Sequence, residues 1–165
     1  MSTEVGITLE ELLAWADESA HQWKSHIEAH PAILELPCSG INKSPNVQAL
    51  VRHIWGAERR WSQRLAGLPT PDFPEGPLEA LFAMHNEAVE LYRKLLAEPA
   101  ERWNETYELN FDWVPPERRH ISRRKVAGHS LLHSQRHYAQ LATLVREAGY
   151  PVTMGGDLLF SVALS

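Results

Sequence analysis

A single cysteine, Cys38, stands among the 165 residues, so no internal disulfide can form and the chain suits a reducing compartment. No stretch approaches the roughly 18 consecutive apolar residues of a membrane span. The opening Met1-Ser2-Thr3-Glu4 lacks the basic region and apolar run of a secretory leader. These absences point to the cytoplasm. Positive charge is not in excess either. A formal net charge of −5 argues against nucleic acid as the main partner, because duplex binding rests on neutralising phosphates with surplus lysine and arginine. Internal repeats and low-complexity stretches are missing too.

The remaining composition is that of an ordinary folded chain, 44% hydrophobic and 22% charged, and its length suits one domain over residues 1–165 with a core of its own. Four amphipathic segments emerge. Residues 8–30 place Leu9, Leu12, Leu13, Ala16, Ala20, Trp23 and Ile27 on one helical face. Thr8 and Glu11 have the spacing of a capping box. Pro31 and Pro37 then break the chain, and Ser44-Pro45 reads as a cap followed by proline at the first helical position. The face of this second helix is Val47, Leu50, Val51, Ile54, Trp61 and Leu65, ended by Gly67 and the proline-rich residues 69–77.

A third helix over residues 77–96 carries Leu78, Leu81, Phe82, Ala88, Val89, Tyr92 and Leu95, with His85 interrupting the stripe. Over residues 106–114 the period falls to two. Tyr107, Leu109, Phe111 and Trp113 alternate with polar residues, as in a half-buried strand that Trp103 and these aromatics pack onto the helices. Pro115-Pro116 stops it. The fourth helix covers residues 122–148, with Gly149 placed to end it. The expected fold is all-α, an up-down-up-down four-helix bundle with a short β excursion between helices three and four.

Histidine is what the chain has in abundance, with nine in all. His129, His133 and His137 follow one another at intervals of four on the fourth helix, at positions where its stripe calls for core residues. Each step of four turns only about 40° around the axis and rises about 6 Å, so neighbouring imidazoles can meet one ion. The glutamate of the zinc-protease helix motif is absent from His133-Ser134-Gln135-Arg136-His137, which excludes that class. A third ligand must come from another helix. His53, beside Leu50 and Ala57 at the edge of the second helix's buried face, is the best placed, with His85 as the alternative. A histidine on an apolar face is more often a satisfied core residue than a ligand. Burying several without partners, however, costs on the order of 1–3 kcal/mol each, a cost that a shared ion removes.

Three stretches resemble a known family, the DinB-like, YfiT-like superfamily of metal-dependent four-helix bundles. They are Val51-Arg52-His53-Ile54-Trp55-Gly56-Ala57-Glu58-Arg59-Arg60-Trp61, then His129-Ser130-Leu131-Leu132-His133-Ser134-Gln135-Arg136-His137-Tyr138-Ala139-Gln140-Leu141, then Gly149 through Pro151 to Asp157-Leu158-Leu159-Phe160. Their order and spacing carry the match. The resemblance implies metal ligands at His53, His133 and His137, with His129 behind them and donating to a neighbour. Tyr138-Ala139 departs from the family's Arg-Gly at that place, which removes a charge but no ligand.

Three neutral imidazoles leave a divalent ion, Zn2+ or Ni2+, its full charge and at least one open position. Such an ion supports hydrolysis by acidifying water, or ionises the thiol of a small cosubstrate. The resemblance favours the second, a thiol S-transferase using a low-molecular-weight thiol, over a hydrolase or a non-catalytic, stress-related metal- or ligand-binding protein. It also implies a homodimer. No carboxylate is placed as general base, since Glu58, five residues from His53, turns away around the helix. Cys38 reads as a passive thiol, and Arg118, Arg119, Arg123, Arg124 and Lys125 as a solvated basic face.

Overall fold

The structure is a computed structural model that describes residues 6–38, 40–109, 111–112, 114–153 and 156–162. Trp113, assigned above to the alternating strand, lies outside the described residues. Four helices dominate: α1 Leu9–Ala29, α2 Val47–Leu65, α3 Leu78–Leu96 and α4 Arg123–Glu147. The capping box at the start of α1 is formed, with Glu11 N donating to Thr8 Oγ1 and Thr8 N to the Glu11 carboxylate. Helix α2 starts later than Ser44-Pro45 suggests. Its cap is Asn46, whose side chain accepts from Ala49 N at 3.0 Å. Cys38 N bonds Pro45 O and a Pro37–Asn46 bridge closes beside it, so Ser44 and Pro45 are held in the incoming turn. Ser122 caps α4, and Gly149, at φ +90°, supplies the left-handed residue beyond its end.

Two apolar clusters fill the bundle. One joins Trp23, Ile27, Leu50, Ile54, Trp55, Phe82 and Leu141, the other Leu13, Ala16, Leu65, Tyr92, Leu95 and Val126. Each helix contributes one half of its length to each cluster, which sets the directions. α1 and α4 reach the first cluster with their C-terminal halves, α2 and α3 with their N-terminal halves. The expected four-helix bundle with its β excursion is therefore present, and its order is up-down-down-up rather than alternating. The link 66–77 is the reason. It runs back along α2, where Arg59 reaches Asp72 O at 3.1 Å, Arg52 reaches Pro74 O at 2.9 Å and Gln48 reaches Gly76 O at 3.0 Å.

Phe73 of that link sits against Gly56. A Cβ there would stand 2.5 Å from the Phe73 ring. Gly56→Ala is expected to lift the link and destabilise the fold by about 1–2 kcal/mol, the overpacking of about 1–3 kcal/mol exceeding the gain of up to about 1 kcal/mol from alanine's helix propensity. Urea unfolding measures it, with faster proteolysis in the link as the local sign.

The β excursion is a hairpin of two short strands, β1 Thr106–Glu108 and β2 His120–Ser122, paired antiparallel with Tyr107 opposite Ile121. It is shorter than the alternating pattern over residues 106–114, because among the described residues only Thr106, Tyr107 and Glu108 find a ladder partner. Tyr107 and Ile121 fasten it to the second cluster beside Trp103. Among the described residues no helix is long and apolar enough to cross a membrane.

Candidate metal centre

Helices α2 and α4 pack antiparallel, which brings residue 53 of one level with residues 133 to 137 of the other. The Nε2 atoms of His53 and His133 lie 3.3 Å apart, and those of His137 and His133 lie 3.2 Å apart. Each of the three histidines offers a ring nitrogen within 4.8 Å of the others. Tetrahedral zinc with bonds of about 2.0–2.1 Å requires neighbouring nitrogens roughly 3.3–3.4 Å apart. The spacing fits one ion.

The protonation states agree with that fit. Burial, then the neighbouring His137 ring and the positive charges of Arg136 and Arg60, hold His53 down at about 4. Burial and the same neighbourhood push His133 to about 3. His137 is lowered by burial and by Arg136, against an opposing hydrogen bond to Gln140. All three are neutral donors at pH 7. Gln140 Oε1 accepts from His137 Nδ1 at 2.7 Å, and this places the ring's proton on Nδ1 and its lone pair on Nε2, facing the other two histidines. Arg136 also points a guanidinium N–H at that lone pair, at 3.4 Å. His133 Nδ1 is buried without a hydrogen-bond partner. The His137 lone pair faces the Nε2 atoms of the other two rings, and a cation at that point would engage all three nitrogens together. The cluster could hold a metal ion.

Other histidines stand apart from it. His129 is exposed rather than in the core, because the first half of α4 turns that face toward the β hairpin. Among the described residues it donates to no neighbour, and its ring instead meets Trp61 edge-on at 5.9 Å and tilts toward His133 at 5.9 Å. His85 does not replace His53. It is 1% exposed between Glu58 Oε2 at 2.6 Å and Asp17 Oδ1 at 3.0 Å, and Ser134 Oγ donates to the other Glu58 oxygen at 2.5 Å. Glu58 thus turns from His53 into the bundle, as helix geometry requires. Cys38 is buried in the first cluster, its thiol pushed up by burial, and so is a passive thiol.

Two residues that do matter went unassigned in the sequence. Gln140 is one turn beyond His137, a spacing that signals an imidazole acceptor, and Arg136 supplies the local positive charge. Tyr138, at the family's arginine position, is buried and accepts from Trp55 Nε1 at 2.8 Å, serving the core. The basic run at the start of α4 is not uniformly solvated. Arg123 is buried on Glu98 at 2.8 Å and on Leu65 O at 3.1 Å, and Arg119 holds Val114 O at 2.9 Å.

Gln140→Leu is expected to weaken zinc binding by about 10–100-fold, as loss of the group orienting a ligand imidazole does elsewhere. Competition with a chromogenic chelator reads this directly.

A family model described as the DinB family matches residues 1–160. No curated protein matches the chain. Among solved structures, a DinB-like protein from Bacillus subtilis, YjoA, superposes with a TM-score of 0.61 at 15% identity, over 86% of this chain and 91% of that one. At that identity the likeness speaks for the fold. With the family pattern running nearly end to end over the same four-helix architecture, the chain belongs to the DinB family.

Proposed function

We propose that this protein is a metal-dependent enzyme in which His53, His133 and His137 hold one divalent transition ion, Zn2+ or Ni2+, and that it transfers a low-molecular-weight thiol to an electrophile. The observation that carries the reading is the convergence of three neutral imidazole nitrogens at the spacing of one tetrahedral face. When bound, such an ion supplies Lewis acidity that lowers the pKa of a thiol or a water beside it.

The chain's own residues favour the thiol. A free thiol ionises near pH 8.5 and needs little help to become a thiolate, whereas water starts at about 15.7 and is commonly assisted by a carboxylate base. Among the described residues no aspartate or glutamate joins the histidine cluster, and Glu58 is committed to His85 and Ser134. Arg136 and Arg60 instead bring positive charge, which favours an anionic sulfur. In the overall reaction the thiol loses its proton to solvent, its sulfur forms a bond to the electrophilic carbon, and the leaving group departs with the bonding pair.

The test is a panel of alkyl and aryl halides with bacillithiol, mycothiol or glutathione, using zinc- or nickel-loaded protein and His133→Ala as control. Thiol consumption that requires both the metal and His133 is the expected result. Hydrolysis of ester or amide probes without thiol consumption moves the assignment to a hydrolase. Silence from protein that retains its metal makes it a non-catalytic binder.

A further inference from the structure

Beside the metal centre the β hairpin roofs a cavity of about 240 Å³ between α2 and α4. Its apolar wall includes Trp61, Phe111 and Val126, with the Trp61 and Phe111 rings edge to face at 6.1 Å. Arg118 and Lys125 line the same space, and neither forms an ion pair with a carboxylate among the described residues. His129 closes the remaining side, its ring 5.9 Å from Trp61 and 5.9 Å from the metal-centre residue His133. The cavity and the histidine cluster therefore share a wall one imidazole thick.

This combination is selective. A chain with net charge −5 places two unmatched cations on the lining of a mostly apolar cavity. Arg64 adds a third cation behind it, stacked over Trp61 at 5.0 Å and over Phe111 at 4.9 Å. An apolar space lined with few polar groups takes an apolar body and fixes it by those groups. Here those groups are cationic and call for an anion. Known ligand cavities run from about 300 to 1,000 Å³, so a volume below that range suits a single ring or a short chain.

We infer that this cavity is the electrophile subsite, and that it takes a small carboxylate with an aromatic or aliphatic body. Arg118 and Lys125 bind the carboxylate, and the apolar body lies on Trp61 and Phe111 beside His129. The inference rests on the metal-dependent reading for the cavity's role in the reaction, but not for binding itself.

The probe is 3-phenylpropionate, titrated into the full-length protein while the Trp61 indole N–H resonance, assigned with Trp61→Phe, is followed by nuclear magnetic resonance. A saturable shift is expected, with the neutral 3-phenylpropanol at least 10-fold weaker and inorganic phosphate giving no shift. Arg118→Gln combined with Lys125→Gln, both at the surface, is expected to weaken 3-phenylpropionate at least 10-fold and to leave 3-phenylpropanol unchanged. His133→Ala is expected to lose zinc and keep the Trp61 response. Failure of the metal reading therefore appears as a wild type that takes up no zinc while the cavity still binds. Absence of a saturable Trp61 shift, equal affinity for acid and alcohol, or an unaltered double variant overturns the subsite.

Discussion

His133→Ala is expected to remove the metal from the protein and, with it, any thiol transfer. His133 is the central member of the cluster, with its Nε2 3.3 Å from that of His53 and 3.2 Å from that of His137. Without it, two ligands remain on separate helices. Disturbing an outer partner of a ligand costs about 10–100-fold in affinity, so loss of the ligand itself exceeds about 100-fold. Stability provides a second readout. An ion present at 100 times its dissociation constant stabilises the native state by about 2.7 kcal/mol, which for a chain of this size raises the midpoint of thermal unfolding by roughly 5–10 °C. The wild type should show that rise on adding zinc, and the variant almost none. The metal-free proteins should rank differently, with His133→Ala at least as stable as wild type. Its side chain carries a buried, unpartnered Nδ1, and alanine removes that group. Elemental analysis of untagged protein decides the matter. A wild type that takes up no zinc or nickel, or a variant that binds as tightly, sinks the assignment.

What could be read before the fold was known follows from how local each signal is. The capping box of α1 and the glycine after α4 act within one turn, and each stands where the residues place it. The start of α2 was blurred because Ser44-Pro45 and Asn46 both carry cap signals, and only the bridge from Pro37 decides between them. β2 has three residues beside a charged run and no period to reveal it. The parallel course of α2 and α3 depends on a link of a dozen residues. At about 3.3 Å each it can span some 40 Å, more than the roughly 28 Å of a 19-residue helix at 1.5 Å per residue. The three clustered histidines were legible because two share a helix face and the third sits in a recognisable stretch. The pairing of Glu58 with His85 was not, since each looks like a flaw in its own helix and only the packing of α2 on α3 joins them.

That pairing gives the largest effect expected on the fold. His85 and Glu58, 1% and 2% exposed, form with Asp17 and Ser134 a polar layer between the two apolar clusters, drawing on all four helices. Burial alone would push His85 down, but the charge of Glu58 and the hydrogen bonds that His85 donates to Asp17 and Glu58 outweigh it and raise the group to about 9. It is an imidazolium at neutral pH. Glu58→Ala leaves that cation buried beside a half-exposed Asp17, and removing one partner of a buried pair costs about 3–5 kcal/mol, or roughly 6–20 °C in the thermal midpoint. The pH dependence has a fixed sign. Because the folded value lies above the ordinary 6.5, the contribution of the pair is complete below pH 6.5 and is lost as pH rises through 9, a decline of about 3 kcal/mol. Urea midpoints at pH 6 and pH 9.5 should show this in the wild type. In Glu58→Gln the decline should shrink or reverse, since burial then dominates the imidazole. Replacing both partners by apolar residues, as in Glu58→Met with His85→Leu, should recover much of the stability lost in either single variant, because no charge is then stranded. A flat wild-type profile between those pH values, or a Glu58→Ala protein as stable as wild type, would show that the layer carries no such load.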